Sequence, residues 1–335
     1  MKRALLILAA LGVLLAGAAF WTLWAGPGPS GEPKTVIVAE GSSVARVADQ
    51  LEREGLIRGN ARVFRGFARI LGSSDPVQAG EFEIPAGASA SAILDHLQHG
   101  QPVQRLVAIP EGTPSVLVHE RLMRNPYLTG EVAVPAEGSV LPNSYGFQRG
   151  ESRAAVLARM QDAMRTELAR LWAERSPNTV VRTPEEAVIL ASIVEKETGK
   201  AEERRTIAGV YSNRIRRGMK LDADPTIIYP ITRGRPLGRP IRRSEIDAVN
   251  GYNTYTRVGL PVGPIANPGR ESIAAVLNPG DTQALYFVAD GTGGHIFSNT
   301  LEEHNRNHAR WREIRAQRLQ QQQAQQGSGG AQPQP

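Results

Sequence analysis

Two glutamates, Glu195 and Glu197, follow directly on the apolar run Leu190-Ala191-Ser192-Ile193-Val194 and precede Thr198-Gly199. A carboxyl group held among apolar side chains has its ionised form disfavoured and its pKa raised, so that it can donate a proton near neutral pH. The chemistry on offer is general acid catalysis. The element that must position it is a helix: Thr183 with Glu186 three residues later has the capping-box pattern, Pro184 suits the first helical position and Gly199 the stop, which predicts a helix from Pro184 to Thr198. On the helical period Ala187, Val188, Leu190, Ala191, Ile193 and Val194 form one broad apolar arc. Glu195 falls inside that arc between Ala191 and Val188, Lys196 points away, and Glu197 lies near the other flank between Ile193 and Leu190. Periodicity therefore leaves both glutamates open as the special one. It also leaves open the plainer arrangement in which both pair with arginines such as Arg204 or Arg205.

Further polar and aromatic clusters follow in order. They are Tyr211-Ser212-Asn213-Arg214, Leu221-Asp222-Ala223-Asp224-Pro225-Thr226, Tyr252-Asn253-Thr254-Tyr255, Gly259-Leu260-Pro261-Val262-Gly263-Pro264, Asn267-Pro268-Gly269, Leu285-Tyr286-Phe287-Val288-Ala289-Asp290 and Gly293-Gly294-His295-Ile296-Phe297. Together with the glutamate helix they resemble the YceG-like endolytic murein transglycosylases, membrane-anchored bacterial enzymes that cut peptidoglycan glycan strands. The likeness runs from about Thr35 to Arg315, and several ordered motifs over such a span are far more specific than any one alone. Two departures are visible: Val262 stands at the second proline of the family's Leu-Pro-Pro-Gly pattern, and Pro142-Asn143-Ser144-Tyr145 replaces Pro-Asp-Thr-Tyr.

The resemblance implies Glu195, the first glutamate of Ile-Val-Glu-Lys-Glu-Thr, as the catalytic acid and later base. A lytic transglycosylase uses the sugar's own C6 hydroxyl in place of water, so one carboxyl can serve twice where ordinary glycosidases need two. The product would carry a 1,6-anhydromuramyl end, and no metal or cofactor is required. Asn213, Asp224, Thr226, Tyr252, Asn253 and Tyr255 are the candidates for holding the glycan, with turn and strand-end structure as their plainer role. Two rival functions remain: a non-catalytic peptidoglycan-binding scaffold, and a hydrolytic muramidase in which Glu197 or Asp224 would activate water.

Location agrees with a cell-wall substrate. After Lys2 and Arg3 the chain is apolar and uncharged from Ala4 to Trp24, about long enough to cross a bilayer as a helix. The flanking charges predict a single-pass signal anchor with its N-terminus in the cytoplasm and the rest outside the inner membrane, in preference to a signal peptide cleaved near Ala16-Gly17-Ala18. Cysteine is absent, which excludes a disulfide framework and thiolate metal sites. The net charge of +6 is read as a surface for anionic lipid or peptidoglycan carboxylates, not nucleic acid. Partners implied by the resemblance are glycan strands and penicillin-binding glycan synthases.

The fold class expected is α+β: an N-terminal transmembrane helix, a small LysM-like α/β module and a larger α+β catalytic domain. The boundaries read 1–25 for the anchor, 26–34 for a linker, 35–105 for the module, 106–315 for the catalytic domain and 316–335 for a disordered Gln/Gly/Pro-rich tail. From Thr35 onward strand, Pro/Gly turn and helix recur, beginning at Thr35, Glu81 and Leu106. Ala284–Ala289 and His295–Phe297, joined by Asp290–Gly294, read as a hairpin. His304 and His308 share a helix face but lack the glutamate of a zinc-protease motif, and Gly291–Gly294 lacks the Lys-Ser/Thr of a phosphate loop.

Overall fold

The computed structural model describes residues 2–29 and 31–328. The uncharged N-terminal run is helical, as α1 (Lys2–Phe20) followed by a π-helical turn over Trp21–Ala25. Together they are long and apolar enough to cross a membrane, and nothing in α1 is buried by the rest of the chain. Beyond this helix the protein is α+β, and its described residues divide into two compact units. One runs to Leu106 and includes Gly146–Glu151; the other is Val107–Tyr145 with the chain from Ser152 onward.

The first unit has the order β1 (Lys34–Val38), α2 (Val44–Arg53), α3 (Ala61–Leu71), β2 (Gly80–Ile84) and α4 (Ala90–His99). β1 and β2 are antiparallel, with Lys34 opposite Ile84 and Val38 opposite Gly80. Strand alternation sends Val36, Val38, Phe82 and Ile84 to the buried face, where Val47, Leu51, Ile93 and Leu97 from α2 and α4 close over them. Ser43, Asn60 and Ser89 cap the three helices, each side chain accepting a backbone N–H of the first turn. α3 is not among the expected elements. Its signal is Asn60 followed by the buried stripe Ala61, Phe64 and Ala68, interleaved with three arginines that dilute it.

The chain passes between the units within β3 (Arg105–Ala108) and returns within β4 (Ser144–Phe147), with α5 (Ser115–Arg124) between them. The strand expected at Leu106 thus exists, but it pairs with β4 and not with the β1–β2 sheet.

The second unit continues with α6 (Arg153–Ala173), α7 (Pro184–Glu197), a 3-10 turn over Ala201–Glu203, α8 (Arg204–Arg216), α9 (Pro225–Thr232) and the short α10 (Arg243–Ile246). It ends with α11 (Arg270–Leu277), β5 (Tyr286–Ala289), β6 (His295–Ser298) and α12 (Leu301–Ser328). α7 is its centre, packed against α6, α8, α9 and α11. The seven residues Ala187, Val188 and Leu190–Val194 are all buried there. β5 and β6 form an antiparallel hairpin, with Phe287 opposite Phe297. Its loop needs glycine at Gly291 and Gly293, where φ is +82° and +91°.

One expectation is corrected at the C-terminus. The segment read as a disordered tail from residue 316 is helical through Ser328, because glutamine, alanine and arginine are good helix formers and α12 propagates into them. Residues 329–335 of that tail lie outside the described residues, as do Met1 of the anchor and Ser30 of the linker.

Candidate active site

α7 begins as its sequence demands. Thr183 Oγ1 accepts the Glu186 N–H at 3.2 Å, and the Glu186 carboxylate reaches back to the Arg182 N–H at 2.6 Å. Midway, Ser192 accepts the Ile265 N–H at 3.0 Å and so seats the Gly263-Pro264-Ile265 segment against the helix. At the C-terminal end come the two glutamates. Two residues apart on a helix is a rotation of about 200°, so their carboxyls leave in different directions.

Glu197 turns into a cleft. Tyr211 of α8 donates its hydroxyl to Glu197 Oε1 at 2.8 Å, and Glu197 with Tyr211 forms part of the wall of a cavity of about 580 Å³. Burial pushes the Glu197 carboxyl up to about 7; the nearby charge of Asp224 pushes the same way, against the Tyr211 hydrogen bond and Arg214. A carboxyl in that range is substantially protonated at neutral pH. Asp224, at the N-terminus of α9, accepts the Tyr255 hydroxyl at 2.6 Å, and both line the same cavity. Burial, then Asp224, drives the Tyr255 phenol well above its ordinary value.

Arg214 is the cation of the cleft. Its guanidinium donates to the carbonyls of Leu285 at 2.6 Å and Leu221 at 2.8 Å, pairs with Asp222 at 3.2 Å, and lies 5.2 Å from the Tyr286 ring centre. Asp222 adopts the left-handed conformation at φ +50°, a strained backbone in the cleft wall of the kind that collects at functional sites. His304 stacks on Tyr286 at 5.3 Å, and burial followed by the charges of His308 and Arg214 lowers its pKa, which favours the neutral ring. His295 is fixed by Glu203, which accepts both its backbone N–H and its Nδ1.

Glu195 faces elsewhere. Its side chain is 5% exposed, Oε2 accepts the Gly269 N–H at 2.8 Å, and Oε1 lies 3.6 Å from the Arg204 guanidinium, which also binds Glu111 at 2.9 Å. It is not part of the wall of the cleft that holds Glu197. Its contacts tie the end of α7 to Gly269, the residue that opens α11.

Of the six glycan-holding candidates, Asp224 and Tyr255 stand in the cleft with Glu197. Asn213 lies in a separate groove and donates to the carbonyls of Thr282 and Ala284. Thr226 and Asn253 are buried: Thr226 bonds the Ala223 carbonyl and Thr254, and Asn253 donates to the carbonyls of Glu245, Ile246 and Ala248. Tyr252 packs on Tyr229 with ring centres 4.8 Å apart. Sequence reasoning missed Tyr211, Arg214, Tyr286, His295 and His304 as cleft residues. Tyr211, Arg214, Tyr286 and His295 fall within the motifs that carried the resemblance, but nothing in their local spacing brings α8, the hairpin and α12 together.

Residues 36–310 match the YceG-like family. The chain belongs to the YceG-like family. Its relatives include two proteins of Streptococcus pneumoniae, strains D39 and R6, each named endolytic murein transglycosylase and 28% identical over 82% of this chain. The YceG-like chain covers 57% of the length of those two relatives. A Bacillus subtilis protein of the same name is 28% identical over 80% of this chain and 82% of its own. The crystal structure of a yceG-like protein from Listeria monocytogenes superposes with a TM-score of 0.51 at 28% identity, covering 83% of this chain and 99% of that one. As a site, the cleft of this YceG-like chain offers a carboxyl of raised pKa, a second carboxyl hydrogen-bonded to a phenol, a fixed guanidinium and aromatic faces. That set can protonate a leaving oxygen and hold a sugar while positive charge develops.

Proposed function

We propose that the chain is an endolytic lytic transglycosylase of peptidoglycan, with Glu197 as its acid and base. The observation that carries the reading is a carboxyl that accepts the Tyr211 hydroxyl in the wall of a cleft of about 580 Å³, with Asp224, Tyr255 and Arg214 around it. The names of the relatives supply the substrate and reaction class. Glu197 protonates the glycosidic oxygen between N-acetylmuramic acid and N-acetylglucosamine, and the C1–O bond breaks with positive charge developing on the muramyl ring. The carboxylate left behind takes the proton of the C6 hydroxyl as O6 bonds to C1, which closes the 1,6-anhydro ring and returns Glu197 to its starting state. Water is not consumed. Asp224 is the nearby negative charge that favours the developing cation.

The motif resemblance by itself selects Glu195, whereas the environment of the two carboxyls favours Glu197. Glu195 accepts the Gly269 N–H and lies near the Arg204 guanidinium, contacts that suit an anchor for the end of the helix. Glu195 then acts through position, holding the end of α7. The chain would sit in the inner membrane by its N-terminal helix, with the N-terminus cytoplasmic and the cleft on the side where peptidoglycan lies. The βααβ unit would serve as a LysM-like glycan-positioning module, and glycan synthases are the natural neighbours of an enzyme that trims nascent strands.

Digestion of purified peptidoglycan in ¹⁸O-labelled water tests the reaction class. Anhydromuramyl ends without label support the proposal; reducing muramyl ends carrying ¹⁸O would make the protein a hydrolase, and glycan binding without products would make it a scaffold.

A further inference from the structure

The end of the membrane anchor is not free. Trp24 is only 5% exposed, buried in the core of the first unit with its ring 5.6 Å from both Phe64 and Phe67 of α3. The contacts between anchor and α3 have a direction. A Cβ built on Gly59, just before α3, would lie 3.2 Å from Leu23; Phe64 and Phe67 meet Trp24; and Phe67 also meets Phe20, one helical turn nearer the bilayer, at 6.2 Å. Between Phe64 and Phe67 the contacts of α3 therefore step one turn along the anchor toward the membrane. Leu71, the last residue of α3, lies about 6 Å further along the helix axis than Phe67 at 1.5 Å per residue.

At that end stand two large apolar side chains exposed to solvent, Ile70 at 79% and Leu71 at 53%. Arg62 and Arg69 share one face of α3, a helix that has three arginines and no carboxylate, and Ile70 and Leu71 lie about 100° and 200° round from Arg69 at its tip. Arg65 pairs with Asp49, and Asp75, the first acid after the helix, is held by His99 and Ser73. Apolar side chains at a helix tip, with one arginine beside them and another a little over two turns behind, can enter the headgroup layer while the guanidinium groups reach the phosphates.

We infer that the C-terminal end of α3 is a second membrane contact, with Ile70 and Leu71 inserted into the leaflet from which the anchor emerges and Arg62 and Arg69 on its anionic phosphates. The inference rests on the reading of α1 as a membrane span. Its consequence is that the first unit is held against the bilayer at two points and does not swing on a tether.

The chain has no cysteine, so single-cysteine labelling is clean. The full-length protein carrying I70C, V13C or E40C, labelled with an environment-sensitive fluorophore, is reconstituted into phosphatidylcholine–phosphatidylglycerol vesicles containing doxyl-labelled lipid. Position 13 reports the anchor, and position 40 is an exposed site of the same unit. The inference predicts quenching at 70 at least about threefold above that at 40 and approaching that at 13. Adding R62E and R69E to the I70C protein should cut that quenching by about half in these anionic vesicles. Quenching at 13 alone, with 70 equal to 40, overturns the second contact and leaves the anchor standing. No quenching at either 13 or 70 overturns both.

Discussion

Glu195 and Glu197 differ by one turn-fraction of a helix and end in opposite chemistry. One accepts a backbone N–H and lies near a guanidinium; the other accepts a phenol hydroxyl and faces a cavity. Burial raises Glu197 from 4.5 to about 7, so the native chain keeps a proton that the unfolded chain has lost. That group's contribution is complete below about 4.5 and is lost as pH rises to about 7. E197Q should remove this slope, so its melting temperature relative to the parent rises between pH 5 and about 7.5 in calorimetric scans. E195Q instead loses a charge-assisted acceptor for Gly269, and about 1–3 kcal/mol of stability by urea denaturation at pH 7. A parent melting temperature whose pH slope E197Q leaves untouched would show that Glu197 is not buried protonated. At this scale the sequence identified the helix and the pair of carboxyls. It could not choose between them, since helical phase says which side a residue leaves from but not whether Arg204, Gly269 or an open cleft waits there.

Elements were legible where local chemistry suffices to define them. Thr183, Pro184 and the apolar arc predict α7 almost residue for residue, and alternation with a glycine-rich loop predicts the β5–β6 hairpin. α3 escaped because its arginines dilute the apolar stripe, and the helical stretch at 316–328 escaped because a glutamine run lacks periodicity yet still favours helix. T183A should cost α7 about 1 kcal/mol in urea denaturation, through loss of the cap that satisfies the Glu186 N–H. The polar residues of the Asn213 and Asn253 type illustrate why motif residues are not always site residues. Asn213 pins the 282–284 segment to α8 through two carbonyls. N213A is therefore expected to lose about 1–3 kcal/mol of stability while its rate on glycan strands, per folded molecule, stays within about twofold of the parent. A large loss of rate in a stably folded N213A protein would return Asn213 to substrate contact.

For the whole molecule, the uncharged N-terminal run predicted a helix long and apolar enough to cross a membrane, and the ordered motifs carried the family. What they could not carry is the coupling of anchor to unit, which depends on Trp24 finding Phe64 and Phe67 some 40 residues away. Because Trp24 is a core residue of the first unit, W24A in the full chain should destabilise that unit by about 3 kcal/mol or more, seen as faster amide exchange in α2, α3 and α4 with α7 unchanged. A soluble fragment that starts at Lys34 would share the defect.

The central claim is that a single carboxyl, Glu197, does the acid–base chemistry. It is tested most directly by mass spectrometry of the products released from purified peptidoglycan by the parent, E197Q and E195Q proteins, each shown to be folded at the assay pH. The account predicts anhydromuramyl products from the parent, a loss of about 10²–10⁴-fold in E197Q, and in folded E195Q only the smaller loss of a displaced helix end. Abolition in E195Q with near-parental turnover in E197Q would contradict it and move the acid to Glu195.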